Sequence, residues 1–137
     1  MSSVYRIENE GEIGPLGRRG IELTHEIMYR HYRRDEDFVY AQMAEGVTWI
    51  GPSRAQYTTG VDKLRELFQI EQLVTFTMEQ ETYQVAYEDE HTCLIFGCYT
   101  VTSDEETGLF IRTLQRVSFF YRLIGDRLHV VHMHLSH

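Results

Sequence analysis

Basic residues are scarce in this chain of 137 residues: 13 Lys and Arg stand against 21 Asp and Glu, a formal net charge of −8. Electrostatic binding of nucleic acid needs clustered cations on one face. Only Arg18-Arg19 and Arg30 with Arg33-Arg34 are locally basic, and Asp35, Glu36 and Asp37 offset the second group. No nucleic-acid partner is expected. Cysteine is equally sparse, with Cys93 and Cys98 alone. Five apart on one strand, they fall on opposite faces and cannot readily bridge, so free thiols in a reducing compartment are the simpler reading. The opening MSSVYRIENE has no apolar core of a leader, and no run reaches the roughly 18 apolar residues a membrane span needs. A cytoplasmic protein off the membrane is expected. Glycine-rich phosphate loops, a Ser-His-Asp order and paired-Cys metal motifs are also missing, which leaves no cofactor to assign.

What is present is core material. The chain is 42% hydrophobic and 12% aromatic, ample for one domain with one core. Residues 1–20 carry Gly11, Gly14, Pro15, Gly17 and Gly20, a breaker density that predicts an extension without regular structure, mobile or draped over the domain. From Ile21 the spacing is helical: Ile21, Thr24, Met28 and Tyr32 form one stripe, and Leu23, Ile27 and His31 another. A second helix is expected from Glu36 to Ala44, capped at Gly46, then a short strand over Val47–Ile50 and a polar loop from Arg54 to Gly60. Val61 to Leu73 reads as an amphipathic helix. The period then changes from 3.6 to 2, predicting strands over Val74–Tyr87, His91–Thr102, Leu109–Leu123 and Leu128–Ser136. On the last of these, strict alternation sets Leu128, Val130, His132, His134 and Ser136 against His129, Val131, Met133 and Leu135.

Helices first and antiparallel strands afterwards make an α+β class. The expected architecture is a single cone-shaped domain over residues 21–137, a curved antiparallel sheet covered by two or three amino-terminal helices around a central cavity.

The closing residues resemble a known pattern. Arg116-Val117-Ser118-Phe119 followed by Gly-Asp-Arg-Leu-His-Val-Val-His-Met-His-Leu-Ser, with Val47-Thr48-Trp49-Ile50-Gly51-Pro52 and a helix opened by Gly60, is similar to the nuclear-transport-factor-2-like superfamily. Within it the ending resembles SnoaL-like (polyketide-cyclase-like) domains and the association domain of calcium/calmodulin-dependent kinase II. The resemblance spans about Ile21 to Ser136 and is specific for fold, since that fold carries isomerases, cyclases, dehydratases, assembly modules and binders. It implies pocket positions at Cys98, Arg116 and Leu135, where the kinase domain keeps arginines and only Arg116 is one here. It also implies dimerisation through the sheet. No carboxylate matches the general base of the enzyme members.

Candidate residues follow, each with its plainer role beside it. Arg116, in an apolar strand run, is expected either to anchor a small, partly apolar or anionic ligand or to pair internally with Glu26, Asp35 or Glu71. Trp49, Tyr32, Tyr57, Phe68, Phe96, Cys98 and Met133 are candidate pocket walls, or ordinary core. His25 and Tyr32 are candidates for acid–base work, though a helix histidine without a partnered acid is more often structural. His132 and His134 share a strand face, as zinc ligands on a sheet do, but no third ligand is evident and no metal is assigned. With Leu128, Val130 and Phe119 they are instead expected in a homodimer interface. The function expected is small-molecule binding or sensing without catalysis, with a cyclase, isomerase or dehydratase, or an oligomerisation module, as alternatives.

Overall fold

The structure is a computed structural model describing residues 4–71, 74–104 and 110–137. Seven strands form one sheet in the order β1-β4-β5-β6-β7-β2-β3, curled but unclosed. The strands are β1 (Tyr5–Ile7), β2 (Met43–Ile50), β3 (Tyr57–Thr59), β4 (Phe76–Glu88), β5 (Thr92–Ser103), β6 (Arg112–Ile124) and β7 (Arg127–Ser136). Three helices, α1 (Pro15–Tyr32), α2 (Glu36–Ala41) and α3 (Val61–Ile70), lie on its concave side. The long strands β4 to β7 are an antiparallel meander; β1 on β4 and β2 on β7 are parallel additions. The α+β class expected above is observed.

Residues 5–20 are not the irregular extension their glycine content predicted. Tyr5–Ile7 pairs with Glu81–Tyr83, and the Asn9 side chain clamps both backbone groups of Val85. Helix α1 begins at Pro15, whose fixed φ and missing N–H suit a first turn. Both carboxylate oxygens of Glu88 accept the exposed N–H groups there, from Gly14 at 2.9 Å and Gly17 at 2.8 Å. The glycines serve close approach. A Cβ on Gly17 would lie 2.6 Å from Glu88 Oε1 and 2.7 Å from Val85 Cγ2, and one on Gly20 would lie 2.7 Å from Cys93 Sγ. Spacings 17, 20, 21, 24, 27, 28 and 32 make the buried stripe of α1, so the first turns continue the periodicity that begins visibly at Ile21. Thr24 donates its proton to the Gly20 carbonyl, so Tyr121 donates to the Thr24 hydroxyl at 2.7 Å.

Other boundaries also move. Helix α2 ends at Ala41 and Gly46 lies inside β2, because the chain joins β7 from Met43 onward. Part of the expected polar loop is edge strand β3. The expected ends at Leu73 and Leu109 lie outside the described residues. In β7 the strict alternation fails: Phe120 opposes His132 but Tyr121 opposes Val130, leaving Val131 as an extra residue. This bulge shifts the faces by one. Leu128 and Val130 therefore join Met133 and Leu135 in the core, all under 10% exposed, while His132 and His134 lie on the convex side. Phe119, fully buried, stacks on Tyr121 inside the curl. The expected outer interface of Leu128, Val130 and Phe119 is thus core.

The candidate site inside the curled sheet

Strand β6 decides which side chains reach the interior. Gln115, Val117, Phe119 and Tyr121 are buried toward the helices, so Arg116 between them is exposed on the convex face. Its neighbours across the ladder, Cys98 and Ser136, share that face. Arg116, Cys98 and Phe96 line a shallow groove of about 390 Å³ there with Thr82, Gln84 and Ser118. The interior anchor and its alternative, an internal ion pair, both fail on this parity: Glu26 and Asp35 pair with Arg30, and Glu71 with Arg34. Tyr57, on the edge strand, is exposed as well. Cys93 faces inward, where burial pushes its thiol up to about 12, a small apolar residue rather than a nucleophile.

The interior cavity lies between the carboxy-terminal turns of α1 and the concave sheet. Its volume is about 170 Å³, below the roughly 300–1,000 Å³ of drug-sized sites. Met28, Trp49, Phe76 and Met133 supply its apolar wall. Of the expected wall residues Trp49, Tyr32 and Met133 line it, and Phe68 stands behind, its ring 5.4 Å from Trp49 and 4.6 Å from His31. Parallel pairing of β2 with β7 sets Trp49 beside Met133, which is why both face the same space.

Three polar features break this wall. Tyr32 and Tyr99 share a hydrogen bond of 2.9 Å between their hydroxyls. Burial pushes both phenols up, so both stay protonated, and their mutual bond uses one of two protons. Opposite Tyr99 on the ladder is Gln115, 6% exposed, whose Oε1 is buried without a partner among the described residues. Around the mouth runs a chain of charges. His31 Nδ1 lies 3.0 and 3.1 Å from the two Glu36 oxygens, Arg34 Nη1 is 3.5 Å from Glu36 and 3.4 Å from Glu71, and Gln56 donates to Glu71 at 3.4 Å. Two carboxylates thus engage Arg34, the guanidinium that lines the cavity.

Gln115 is legible as a buried position from its period-2 spacing, whereas the charge of Arg116 in an apolar run is the more conspicuous feature of the sequence. Glu36 was legible only as a helix-start acid, since its partner His31 belongs to another helix. Among the described residues no three His, Cys, Asp or Glu side chains are grouped to hold a metal ion, and no helix is long and apolar enough to cross a membrane.

No family model matches the sequence, and no curated protein sequence matches it. Solved structures do match. A ketosteroid isomerase-like protein from Erwinia carotovora atroseptica superposes with a TM-score of 0.66 at 20% identity, over 80% of this chain and 86% of that one. An NTF2-like protein of unknown function from Pseudomonas putida gives 0.67 at 16%, over 88% and 85%. The association domain of CaMKII from C. elegans gives 0.66 at 14%, over 88% and 94%. The chain has the nuclear-transport-factor-2-like fold. Identities this low carry the fold and leave the function to the site. In this fold the concave cavity of Trp49, Tyr32 and Gln115 is where the architecture leaves enclosed space, and the convex groove of Arg116 is open surface.

Proposed function

We propose that this protein binds a compact, neutral, mainly apolar molecule in the interior cavity. The observation that carries the reading is Gln115: an amide oxygen buried without a partner costs about 1–3 kcal/mol, and here it opens on a cavity otherwise walled by Met28, Trp49 and Met133. A ligand with one hydrogen-bond donor satisfies it. An acceptor on the same ligand takes the second proton of the Tyr32–Tyr99 pair. Small cyclic amides and hydroxyketones have that pattern. Trp49 is the only tryptophan and lines the cavity, so its emission reports occupancy. Titrating the protein with a panel of these compounds should change that emission, and Gln115→Leu should weaken the response about tenfold. An emission change that survives Gln115→Leu unaltered would sink the reading.

A second reading is favoured by one observation, the His31–Glu36 pair. A carboxylate on Nδ1 orients an imidazole and leaves Nε2 to take or give a proton, the arrangement that acid–base catalysis needs. With the Tyr32–Tyr99 phenols as donors, the cavity would support an isomerisation or dehydration of the bound molecule. His31→Gln should then abolish turnover of any compound that alters Trp49 emission while leaving the emission change in place.

We also infer self-association through the convex face. Phe96 and Leu114 are exposed on it beside His132, His134 and Arg116, and among the described residues no helix covers it. A fold neighbour that is itself an association domain supports this. Phe96→Glu should shift sedimentation toward the monomer; a wild-type protein that sediments as a monomer would end the idea.

A further inference from the structure

A second cleft lies on the other side of α1 from the interior cavity and is independent of it. Its volume is about 610 Å³ and its lining includes Val4, His25, Tyr29, Phe76, Met78 and Glu81. Phe76 lines both spaces and packs edge-on against Tyr32 at 5.9 Å, so it is the partition between them.

The cleft exists because β4 is bulged. Between the Glu79 and Thr82 pairs the register with β5 shifts, and Gln80 takes a left-handed φ of 56°. That extra residue turns Glu81 inward, where it is 6% exposed, an acid that period-2 counting cannot place. Its Oε1 accepts from the Tyr83 hydroxyl at 2.8 Å and meets His25 Nδ1 at 2.5 Å. Burial and the Glu81 charge both push the Tyr83 phenol up, so it remains a donor. His25 thus has the partnered acid that its own helix does not supply. In the tautomer whose Nδ1 proton faces this carboxylate, Nε2 is the ring's acceptor.

The surroundings select what Nε2 can accept from. The His25 ring is 5.2 Å from Tyr5 and lies nearly parallel to Tyr29 at 6.1 Å. Phe76, Met78 and Val4 add apolar wall. The two charged groups at the rim are already engaged: Glu26 with Arg30 at 2.7 Å and Arg33 with Asp104 at 2.6 Å. A charged ligand would have to break one of those pairs. A flat ring carrying a single acidic hydroxyl breaks none, because it stacks on aromatic and thioether groups while donating to imidazole. We infer that this cleft is a second binding site, for phenolic molecules, with His25 Nε2 accepting the phenol proton and Glu81 holding the imidazole in place.

The test uses 4-fluorophenol as the probe and reads its fluorine resonance on addition of the full-length chain. Broadening and a saturable shift are expected. His25→Gln should weaken binding about tenfold, the loss of one hydrogen bond to a partly buried acceptor. Tyr29→Ala, at an exposed helix position that does not endanger folding, should weaken it severalfold and carries the test if His25→Gln unfolds. Trp49 emission should not respond, and His31→Gln should leave binding unchanged. Absence of a shift at millimolar probe overturns the inference. So does binding indifferent to both cleft variants. A probe that changes Trp49 emission and is lost in Gln115→Leu would sit in the interior cavity, which overturns this site and supports the other.

Discussion

At its amino-terminal end α1 touches the sheet through glycine, with no side chain between, whereas about three turns later the same helix stands off far enough to leave the cavity lined by Met28, His31 and Tyr32. At the closed end the polar groups are saturated: Glu88 takes two helix N–H groups, and Asp89 accepts from the His91 and Thr92 amides, the Thr92 hydroxyl and the Tyr87 hydroxyl. The open end holds Gln115 Oε1, without a partner among the described residues, and a phenol pair with a proton to spare. One end contributes stability and the other retains unmet valence, which is how a binding site differs from a core built of the same residue types.

Substitutions that fill the closed end should therefore do the most damage. Gly20→Val puts a branched side chain where a Cβ alone lies 2.7 Å from Cys93 Sγ and 3.0 Å from Ile95. Overpacking at a rigid seam costs about 3 kcal/mol or fails to fold, and denaturant unfolding measures it. Glu88→Ala comes next. It strips two charge-assisted bonds from the helix start, a loss of about 1–2 kcal/mol. The midpoint should fall without a change in the denaturant slope, and Glu88→Gln should recover part of it, since an amide oxygen still accepts one of the two N–H groups.

That contrast was half visible in the chain itself. The meander, its period of 2 and the concave helices follow from residues such as Val117, Phe119 and Tyr121, whose alternation needs no tertiary information. The amino-terminal turns did not: Gly17 and Gly20 break helices by propensity and are chosen here by the sheet's closeness, a fact only the fold contains. The site was less legible still. Two of the sheet's bulges, at Gln80 and Val131, each add one residue and exchange faces across the irregularity. They carry Glu81 inward and set Leu128 and Val130 in the core while His132 and His134 face out. Arg116 needed no bulge to mislead, since a charge among apolar neighbours can be interior anchor or exterior alternate, and the phase of β6 chooses the latter.

At the open end the expected sign reverses. Gln115→Leu replaces an unpaired buried amide with an apolar group of similar size, so the protein should gain up to about 1 kcal/mol while its ligand response at Trp49 weakens. A loss of stability instead would mean that Gln115 is satisfied from within the fold, and the two ends of α1 would differ in volume alone.

The smallest effect separates the ends by acid. Hydrogen bonds from the His91 and Thr92 amides and the Thr92 hydroxyl hold Asp89 down to about 2, against its ordinary 3.8. A carboxylate depressed in the folded state contributes stability that is complete above the unfolded value and disappears as pH falls through the folded one. The window is therefore between about 4 and 2. Asp104, near the open end, is lowered too, first by the Thr75 hydroxyl and then by Thr77 and Arg33, so its contribution fades in the same direction. Comparing thermal midpoints of wild type and Asp89→Asn, the gap should be constant near neutrality and close as pH approaches 2. Asp89 is exposed, so its gap should be small, and salt should shrink the corresponding gap for Asp104, whose partners include a cation, more than the one at Asp89, whose partners are neutral. A gap at Asp89 that persists unchanged to pH 2 would show that the side chain shapes the turn through its geometry, with its charge irrelevant to closing that end of the helix.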